Sequence, residues 1–316
     1  MTSADATPTP DLAALLAALE GIDVPGLLGA RPERVLFTSG NLSQVFGVRT
    51  DVGRELVVKI RPDSPRFDAT AAVQRALADT GMPVPAPLGG PVRVQGRAIS
   101  VEAFVPGGHT RGPGSEAAQD FARVLHNLIR SAPPAADHPA LREDVPPWVG
   151  WDHDGPELWP ARDDSGAPIA GPGPADVDAA GAAARDILLA LDRPAVIGHG
   201  DFEDQNLRWN GTRIHVVHDG DSLVAQPECA IVGATAAIWP AGVVAWCATI
   251  PEAEEFLAAY EAERGRPFDS DERRAAWAAA LWQRAFNARK HAADGGGMQL
   301  DLFRRDAGAL AERAGI

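Results

Sequence analysis

The chain has 316 residues, of which 45% are apolar, so it can bury a large core and we predict two domains. A net charge of −14 argues against nucleic-acid and anionic membrane partners, and it suits a positively charged small molecule. The two cysteines, Cys229 and Cys247, form neither a disulfide framework nor a metal-binding pattern. No signal-peptide pattern opens the chain, so we predict a cytoplasmic protein, and no feature indicates an obligate protein partner.

The N-terminal third predicts a helix followed by an antiparallel sheet. An alanine- and leucine-rich helix is expected at about residues 11–20. Apolar alternation over residues 35–49 and 56–60, interrupted by turns, predicts three antiparallel strands. The turn at residues 39–43 has one glycine and small polar side chains, which fit either a phosphate-binding loop or a plain hairpin turn. Further along, the pattern predicts a helix at about residues 67–80 and a strand that runs from Arg97 into Pro106-Gly107-Gly108.

A long irregular segment follows the next predicted helix, which covers residues 116–131. Residues 132–175 are rich in proline, glycine and acids, and they contain Trp148, Trp151 and Trp159. Segments of this length without regular structure are usually functional or disordered, and three tryptophans argue against disorder. The segment is either a lid or aromatic wall beside a substrate, or an irregular stretch that packs its indoles against the domain.

The C-terminal part predicts several helices, at about residues 176–192, 251–264 and 269–291. Residues 229–250 carry no charge and are long enough to span a bilayer. Because Pro240 lies in the middle of this run, with Gly233 and Gly242 on either side, we predict instead a buried helix that breaks at the proline.

Lysine is rare in this sequence, since only Lys59 and Lys290 occur among 29 basic residues. Each lysine therefore indicates a position where a planar guanidinium cannot replace the ammonium group. Lys59 ends the apolar strand Val57-Val58-Lys59-Ile60. Lys290 shares one face of a predicted helix with Gln283 and Asn287, because their spacings are four and three residues. That face is either solvated or directed at a substrate.

The most informative stretch is a predicted hairpin that carries acidic and amide side chains. An apolar run ends in His199-Gly200-Asp201, Asn206 follows, Asn210-Gly211 predicts a turn, and a β-rich run ends in Asp219. Phosphoryl transfer from ATP requires one carboxylate that orients a hydroxyl and accepts its proton, and two oxygen ligands for Mg²⁺. Asp and Asn are also ordinary turn residues. Their joint occurrence at this spacing nevertheless favours a catalytic loop.

This hairpin resembles the catalytic core of the aminoglycoside phosphotransferase and choline kinase-like family, whose fold is that of protein kinases. The resemblance covers about residues 34–250. It implies an α+β, bilobal protein-kinase-like fold, with an N-terminal antiparallel sheet lobe at residues 1–106 and a mainly helical C-terminal lobe at residues 107–316. The implied cofactors are ATP and Mg²⁺. The implied catalytic base is Asp201, and the implied metal ligands are Asn206 and Asp219.

The resemblance also implies a nucleotide site in the N-terminal lobe. Lys59 would contact the α- and β-phosphates, and the backbone from Glu102 to Phe104 would contact adenine. The turn residues Ser39, Asn41 and Ser43 would lie over the phosphates.

Two positions depart from the family pattern. The helix after Lys59 lacks the glutamate that pairs with this lysine; Thr70 falls at its place and Asp68 is the nearest carboxylate. Either Asp68 substitutes, or phosphate alone orients Lys59. After the hairpin, Gln226-Pro227-Glu228-Cys229 replaces the Gly-Asp-Pro of the family, which indicates a divergent branch.

The sequence therefore predicts an ATP- and Mg²⁺-dependent kinase that phosphorylates a hydroxyl of a small molecule. Acids and tryptophans together suit an amino-bearing sugar ring. The Trp-rich segment and the helix with Lys290 also resemble the branch of actinobacterial glucosamine kinases and maltokinases. We predict a glucosamine kinase, with an aminoglycoside antibiotic phosphotransferase and a nucleotide-binding pseudokinase scaffold as alternatives. The predicted substrate contacts are His199, Asp221, Gln283, Asn287 and Lys290.

Overall fold

A computed structural model of the protein describes residues 12–40, 43–112, 114–163, 166–169, 171, 173–242, 246–293 and 297–316. The chain forms two compact units. Of the described residues, those up to Arg75 and in Pro85–Pro106 form the sheet unit, and those in Ala76–Val84 and Gly107–Ile316 form the helical unit. The predicted α+β class, with an antiparallel sheet before a mainly helical part, is confirmed.

The sheet unit is built on five antiparallel strands, in the spatial order β1-β2-β3-β5-β4. Their bounds are β1 Pro32–Ser39, β2 Gln44–Thr50, β3 Glu55–Pro62, β4 Pro87–Val94 and β5 Arg97–Ala103. Four of these strands lie where the alternation of apolar residues predicts them. Strand β4 was not predicted, because it contains Pro87, Pro91 and two glycines; it lies at the edge of the sheet, where proline is tolerated.

The two faces of this sheet differ in character. Helices α1 (Leu12–Ala18) and α2 (Val24–Leu28) join an apolar core with one face of the sheet. The members of that core include Leu15, Leu19, Val48, Val58, Ile60, Ile99 and Val101. Because side chains alternate along a strand, Lys59 on β3 points to the opposite face, together with Arg61. The guanidinium of Arg61 lies 4.0 Å from the ring centroid of Phe67, at the start of helix α3 (Arg66–Asp79).

The helical unit is centred on a long helix, α9, which packs against α6, α7 and α10. The helices of this unit are α4 Ser115–Ser131, α5 Ala140–Glu143, α6 Ala175–Leu189, α7 Glu228–Ile238, α8 Ile250–Arg264, α9 Ser270–Ala293 and α10 Met298–Ala314. Gly233 permits the close packing of α7 on α9, since a Cβ atom there would lie 1.9 Å from the carbonyl oxygen of Ala276. Helix α7 is buried and ends just before Pro240, as predicted. Within the described part of the chain, we find no helix that combines the length and the apolar character needed to cross a membrane.

Four short strands in the helical unit hold the loop that carries the sequence motif. They are β6 Ala195–His199, β7 Leu207–Asn210, β8 Arg213–Val217 and β9 Leu223–Pro227. Strands β7 and β8 form the predicted hairpin. Strand β9, which was not predicted, pairs antiparallel with β6 and places Leu223 opposite His199. Both ends of the segment 200–222 are thereby anchored to one strand pair. We call this segment the catalytic loop after the role that the sequence predicts for it.

The tryptophans of the irregular segment pack into the helical unit. Trp151 and Trp159 are buried, and the Trp159 ring lies 4.7 Å from that of Trp282 on α9. The Trp159 indole N–H donates to Asp178 at 2.8 Å. Arg185 on α6 donates to the carbonyl oxygens of Trp151 and His153. Of the two interpretations that the sequence left open, the structure supports packing of the indoles against the domain.

Candidate active site

The structure brings Asp201 and Asn206 into direct contact at the start of the catalytic loop. A 3₁₀ turn at Asp204–Asn206 reverses the chain. The side-chain nitrogen of Asn206 then donates to both the carbonyl oxygen and the Oδ2 atom of Asp201, each at 2.9 Å. These bonds fix the orientation of the Asp201 carboxylate. They use the amide nitrogen of Asn206, so the Oδ1 oxygen is the atom that this residue could offer to a cation.

Asp219 stands at the other end of the loop in a left-handed backbone conformation, with φ 60° and ψ 55°. Aspartate tolerates this region better than most residues. The hydroxyl of Ser222 donates to Asp219 Oδ2 at 2.6 Å, and the backbone N–H of His218 donates to the carbonyl oxygen of Asn206 at 2.7 Å. Short hydrogen bonds therefore connect the positions of Asp201, Asn206 and Asp219.

The side chain of His199 is only 1% exposed and stabilises the loop through two hydrogen bonds. Its Nδ1 atom accepts the backbone N–H of Asp201 at 3.2 Å, so Nε2 carries the proton and donates to the carbonyl oxygen of His218 at 3.0 Å. The ring thus ties the chain before Asp201 to the chain before Asp219. The prediction of His199 as a substrate contact is corrected here, because the imidazole ends a buried strand and both of its nitrogens are used within the loop.

Further braces of the catalytic loop were not predicted. The buried carboxylate of Asp204 accepts the backbone N–H groups of Arg111 and Gly112 at 2.8 and 2.9 Å. The indole N–H of Trp148 donates to the carbonyl oxygen of Gly200 at 2.9 Å. Trp148 in turn accepts, through its carbonyl oxygen, the indole N–H of Trp282 at 3.1 Å. No sequence spacing could indicate these bonds, since the partners lie far apart along the chain.

Glu203 is a buried carboxylate beside the predicted catalytic base. Burial raises the pKa of the Glu203 carboxyl well above its ordinary value, and repulsion from the Asp201 and Asp219 carboxylates raises it further. A hydrogen bond from Gln205 and the charge of Lys290 act in the opposite direction. A cation bound near these three carboxyl groups would favour the ionised form of Glu203 and lower its pKa again.

One residue on the polar face of α9, Lys290, lies near this acidic site. Lys290 and Asn287 are half-buried, and the charge of Lys290 acts on Glu203. Gln283 is only 2% exposed, and its Oε1 atom is buried with no hydrogen-bond partner among the described residues. A solvated face would not bury this carboxamide, so that interpretation does not hold for Gln283. Asp221, another predicted contact, is half-buried in the turn after Asp219.

In the sheet unit, the structure corrects the expected partner of Lys59. Its Nζ atom lies 3.3 Å from Oε1 of Glu102 on β5, and both side chains are 9% exposed. Asp68 does not substitute for the missing helix glutamate, because it pairs with Arg93 at 2.6 Å. The hydroxyl of Thr70 donates to the carbonyl oxygen of Phe67 in its own helix, at 3.1 Å.

The remaining predicted nucleotide contacts lie at two places in the sheet unit. Ser39 and Ser43 flank the β1–β2 turn, where Gly40 is required because a Cβ atom would lie 2.0 Å from the Ser43 carbonyl oxygen. Asn41 lies outside the described residues. At the end of β5, the Phe104 ring lies 5.6 Å from the Phe37 ring. The backbone N–H of Phe104 donates to the Glu55 carbonyl oxygen at 3.4 Å. The adenine contact of this segment stays a prediction.

The donor atoms of the catalytic loop suit Mg²⁺. Asp219 and Asn206 offer carboxylate and carboxamide oxygens, which are the hard ligands that this cation prefers. Among the described residues, no group of three His, Cys, Asp or Glu side chains could hold a metal ion unaided. A Mg²⁺ ion that arrives with a nucleotide requires only one or two protein oxygens, since phosphates and water complete its shell. The set of residues therefore fits a nucleotide-borne magnesium ion.

Comparison with protein families defines the class of this protein. The model of the phosphotransferase enzyme family (APH) matches residues 33–277. The chain therefore belongs to this family, as the motif predicted. A comparison with curated protein sequences finds no match.

Solved structures of related enzymes share the fold. An amicoumacin kinase in complex with AMP-PNP, Ca²⁺ and Ami has a TM-score of 0.63 and 14% identity, over 94% of this chain and 95% of that one. Aminoglycoside phosphotransferase APH(4)-Ia has a TM-score of 0.58 and 15% identity, over 94% and 99%. Spectinomycin phosphotransferase APH(9)-Ia, in complex with ADP and spectinomycin, has a TM-score of 0.54 and 14% identity, over 90% and 93%. The predicted kinase-like fold is confirmed, whereas the glucosamine kinase and maltokinase branch stays a prediction.

Proposed function

We propose that the protein transfers the γ-phosphoryl group of Mg·ATP to a hydroxyl of a small, amine-bearing acceptor, with glucosamine as the specific candidate. The observation that carries this proposal is the arrangement of Asp201, Asn206 and Asp219 in one braced loop. Related structures with AMP-PNP or ADP bound support the choice of nucleotide. The presence of all three residues together with Lys59 argues against a pseudokinase scaffold.

Each residue has a distinct task in this proposal. Asp201 orients the acceptor hydroxyl and accepts its proton, while Asn206 holds the Asp201 carboxylate in place. Asp219 and the Oδ1 atom of Asn206 would hold Mg²⁺, and Lys59 would bind nucleotide phosphates. Mg·ATP, when bound, would supply the phosphoryl group, and its Mg²⁺ would neutralise negative charge that develops during transfer.

The acceptor is inferred from charge and from one buried amide. Glu203 is buried beside Asp201, where a cationic acceptor would offset the repulsion between these carboxylates. The buried Oε1 atom of Gln283 would accept a hydrogen bond from an ammonium or hydroxyl group. The buried indoles of Trp151 and Trp159 offer no stacking surface, so these two tryptophans do not support a sugar acceptor.

An aminoglycoside antibiotic is the second candidate acceptor. It is favoured by the similarity to APH(4)-Ia and to the spectinomycin phosphotransferase, whose structure contains that compound. Both candidates use the same catalytic loop, so only the acceptor distinguishes them.

The test compares kcat/KM for glucosamine, glucose and N-acetylglucosamine. Replacement of the amine by a hydroxyl leaves a buried carboxylate without its charged partner, which costs about 2–5 kcal/mol. We therefore expect glucosamine to be strongly preferred to glucose, and N-acetylglucosamine to be a very poor substrate. Glu203→Gln should reduce this preference, whereas Glu254→Gln, on the surface of α8, should not change it. Equal values for glucose and glucosamine would contradict the charge argument, and turnover of an aminoglycoside alone would favour the second candidate.

A further inference from the structure

The ammonium group of Lys59 is held on the polar face of the sheet by a carboxylate from a neighbouring strand. Lys59 and Glu102 are both buried, and their charged atoms lie 3.3 Å apart. A buried ammonium without a carboxylate partner is strongly unfavourable. The Glu102 carboxylate therefore holds the Lys59 ammonium group in place. In the strand register, Lys59 faces Ser100 and Glu102 faces Val57, which puts Glu102 one step along the same face.

Helix α3 holds the second oxygen of that carboxylate. The side-chain nitrogen of Gln74 donates to Glu102 Oε2 at 3.1 Å and to the carbonyl oxygen of Pro85 at 2.6 Å. The two carboxylate oxygens therefore have separate partners, and the carboxylate cannot rotate without breaking a bond. A glutamate at position 74 would place two carboxylates side by side and could not donate to Pro85. Gln74 on the helix therefore supplies the hydrogen-bond donor that Glu102 on the strand requires.

We propose that Glu102 is the positioning residue for Lys59, and that Gln74 links its orientation to helix α3. This inference rests on the proposed function, in which Lys59 binds nucleotide phosphates. Kinases commonly place the corresponding carboxylate on the helix. Here the helix positions near it are otherwise engaged, because Asp68 pairs with Arg93 and Thr70 bonds to its own helix turn. A carboxylate from β5 takes over this task.

A double-mutant cycle on nucleotide binding tests the proposal. Calorimetry would measure the affinity for Mg·ADP in the wild type, in Glu102→Gln, in Lys59→Met and in the double variant. Glu102→Gln alone should weaken binding about tenfold or more, because the ammonium loses a charged hydrogen-bond partner. In the Lys59→Met background, the same substitution should change the affinity by less than about twofold, since the group that it positions is absent.

A second variant distinguishes a specific effect on Lys59 from a general loss of folding. Gln74→Met keeps the length and the packing of the side chain but removes its hydrogen bonds to Glu102 and Pro85. It should lower kcat/KM for ATP in the same direction as Glu102→Gln and leave the KM for the acceptor unchanged. Glu55→Gln is the matched control, because it removes a partly exposed pair with Arg49 in the same sheet and should leave nucleotide affinity at the wild-type value.

The outcomes separate this proposal from the proposed function. Additive effects of Glu102→Gln and Lys59→Met, or wild-type affinity in both Glu102→Gln and Gln74→Met, would overturn the role of Glu102. The binding measurement requires no acceptor, so an error in the acceptor leaves the test intact. Absence of Mg·ADP binding by the wild-type protein would overturn both proposals.

Discussion

The catalytic loop and the Lys59 site reach a fixed geometry in different ways. In the catalytic loop, residues close in sequence hold one another: Asn206 orients Asp201, and Ser222 holds Asp219. At the Lys59 site, the partners come from separate elements, since Glu102 lies on β5 and Gln74 on α3. The contrast shows that a catalytic motif is informative where its contacts are local. Where the contacts are long-range, as between Lys59 and Glu102, a motif does not indicate the partner.

Asp201→Asn should have the largest effect on turnover, because it removes the proposed base from the local site. Loss of a general base typically lowers the rate by about 10²–10⁴-fold. The asparagine can still accept the hydrogen bond from Asn206, so Mg·ADP affinity measured by calorimetry should not change. A variant that keeps more than about a tenth of the wild-type kcat would contradict the role of Asp201 as base.

Asp219→Ala should abolish the part of nucleotide affinity that depends on Mg²⁺, and Asn206→Ala should weaken it. Each substitution removes a proposed oxygen ligand of a hard cation. Calorimetry with ADP, with and without Mg²⁺, gives the comparison directly. If both variants bound Mg·ADP like the wild type, the metal would have to lie elsewhere.

Lys59→Arg tests the long-range site and should be nearly as damaging as Lys59→Ala. The guanidinium is longer and wider than an ammonium group, and the buried position beside Glu102 fits the compact charge. We expect kcat/KM for ATP to fall about tenfold to a hundredfold in both variants. Wild-type ATP kinetics in Lys59→Arg would refute the argument from the rarity of lysine.

Trp148→Phe should have a smaller effect, because it removes a brace and no reacting group. The Gly200 carbonyl oxygen loses its indole donor, which costs about 1–3 kcal/mol of stability. We expect kcat to fall only about threefold to tenfold, since the remaining bonds still hold Asp201. Trp246→Phe is the control, because that side chain is 42% exposed. Denaturant unfolding and steady-state kinetics on both variants would show whether the brace at Trp148 matters.

Asp306→Asn should leave turnover nearly unchanged and alter the pH dependence of stability. Burial opposes the ionisation of Asp306, but hydrogen bonds from Arg305 and Arg284 outweigh it and lower its pKa. A lowered pKa contributes stability above the unfolded-state value of about 3.9, and that contribution is lost as the pH falls through the folded-state value. The variant should therefore be less stable than the wild type at pH 7, and the difference should shrink in acid. A difference independent of pH, measured by urea unfolding, would exclude this ion pair as the cause.

Much of the fold follows from local pattern. Alternation predicts β1, β2, β3 and β5, and the apolar periodicity of α4 predicts its buried face. Strand β4 is not predictable in the same way, because its prolines and glycines are acceptable only at the edge of the sheet, next to β5. Strand β9 reads as part of an apolar run, and only its pairing with β6 distinguishes it from the start of α7.

In the candidate site, too, local pattern predicts some contacts and tertiary packing determines the others. The motif predicts that Asp201, Asn206 and Asp219 come together, because one hairpin determines their positions. It cannot predict that Asp204 binds the backbone of Arg111, or that Trp148 reaches Gly200, since these bonds depend on tertiary packing. The predicted substrate contact of His199 has a related limit. The position of His199 in the motif does not indicate the direction of its ring, and the structure turns both ring nitrogens to the backbone of the loop.

Acceptor-dependent ADP release by the wild-type protein is the decisive test of the proposed kinase activity. The measurement would compare glucosamine, glucose, an aminoglycoside and choline, each with ATP in the presence and absence of Mg²⁺. We expect Mg²⁺-dependent ADP formation that an amine-bearing acceptor stimulates, with one phosphate added to that acceptor and almost no signal from Asp201→Asn. Tight binding of Mg·ATP without ADP formation for any of the four compounds, or equal ADP formation by Asp201→Asn, would contradict it.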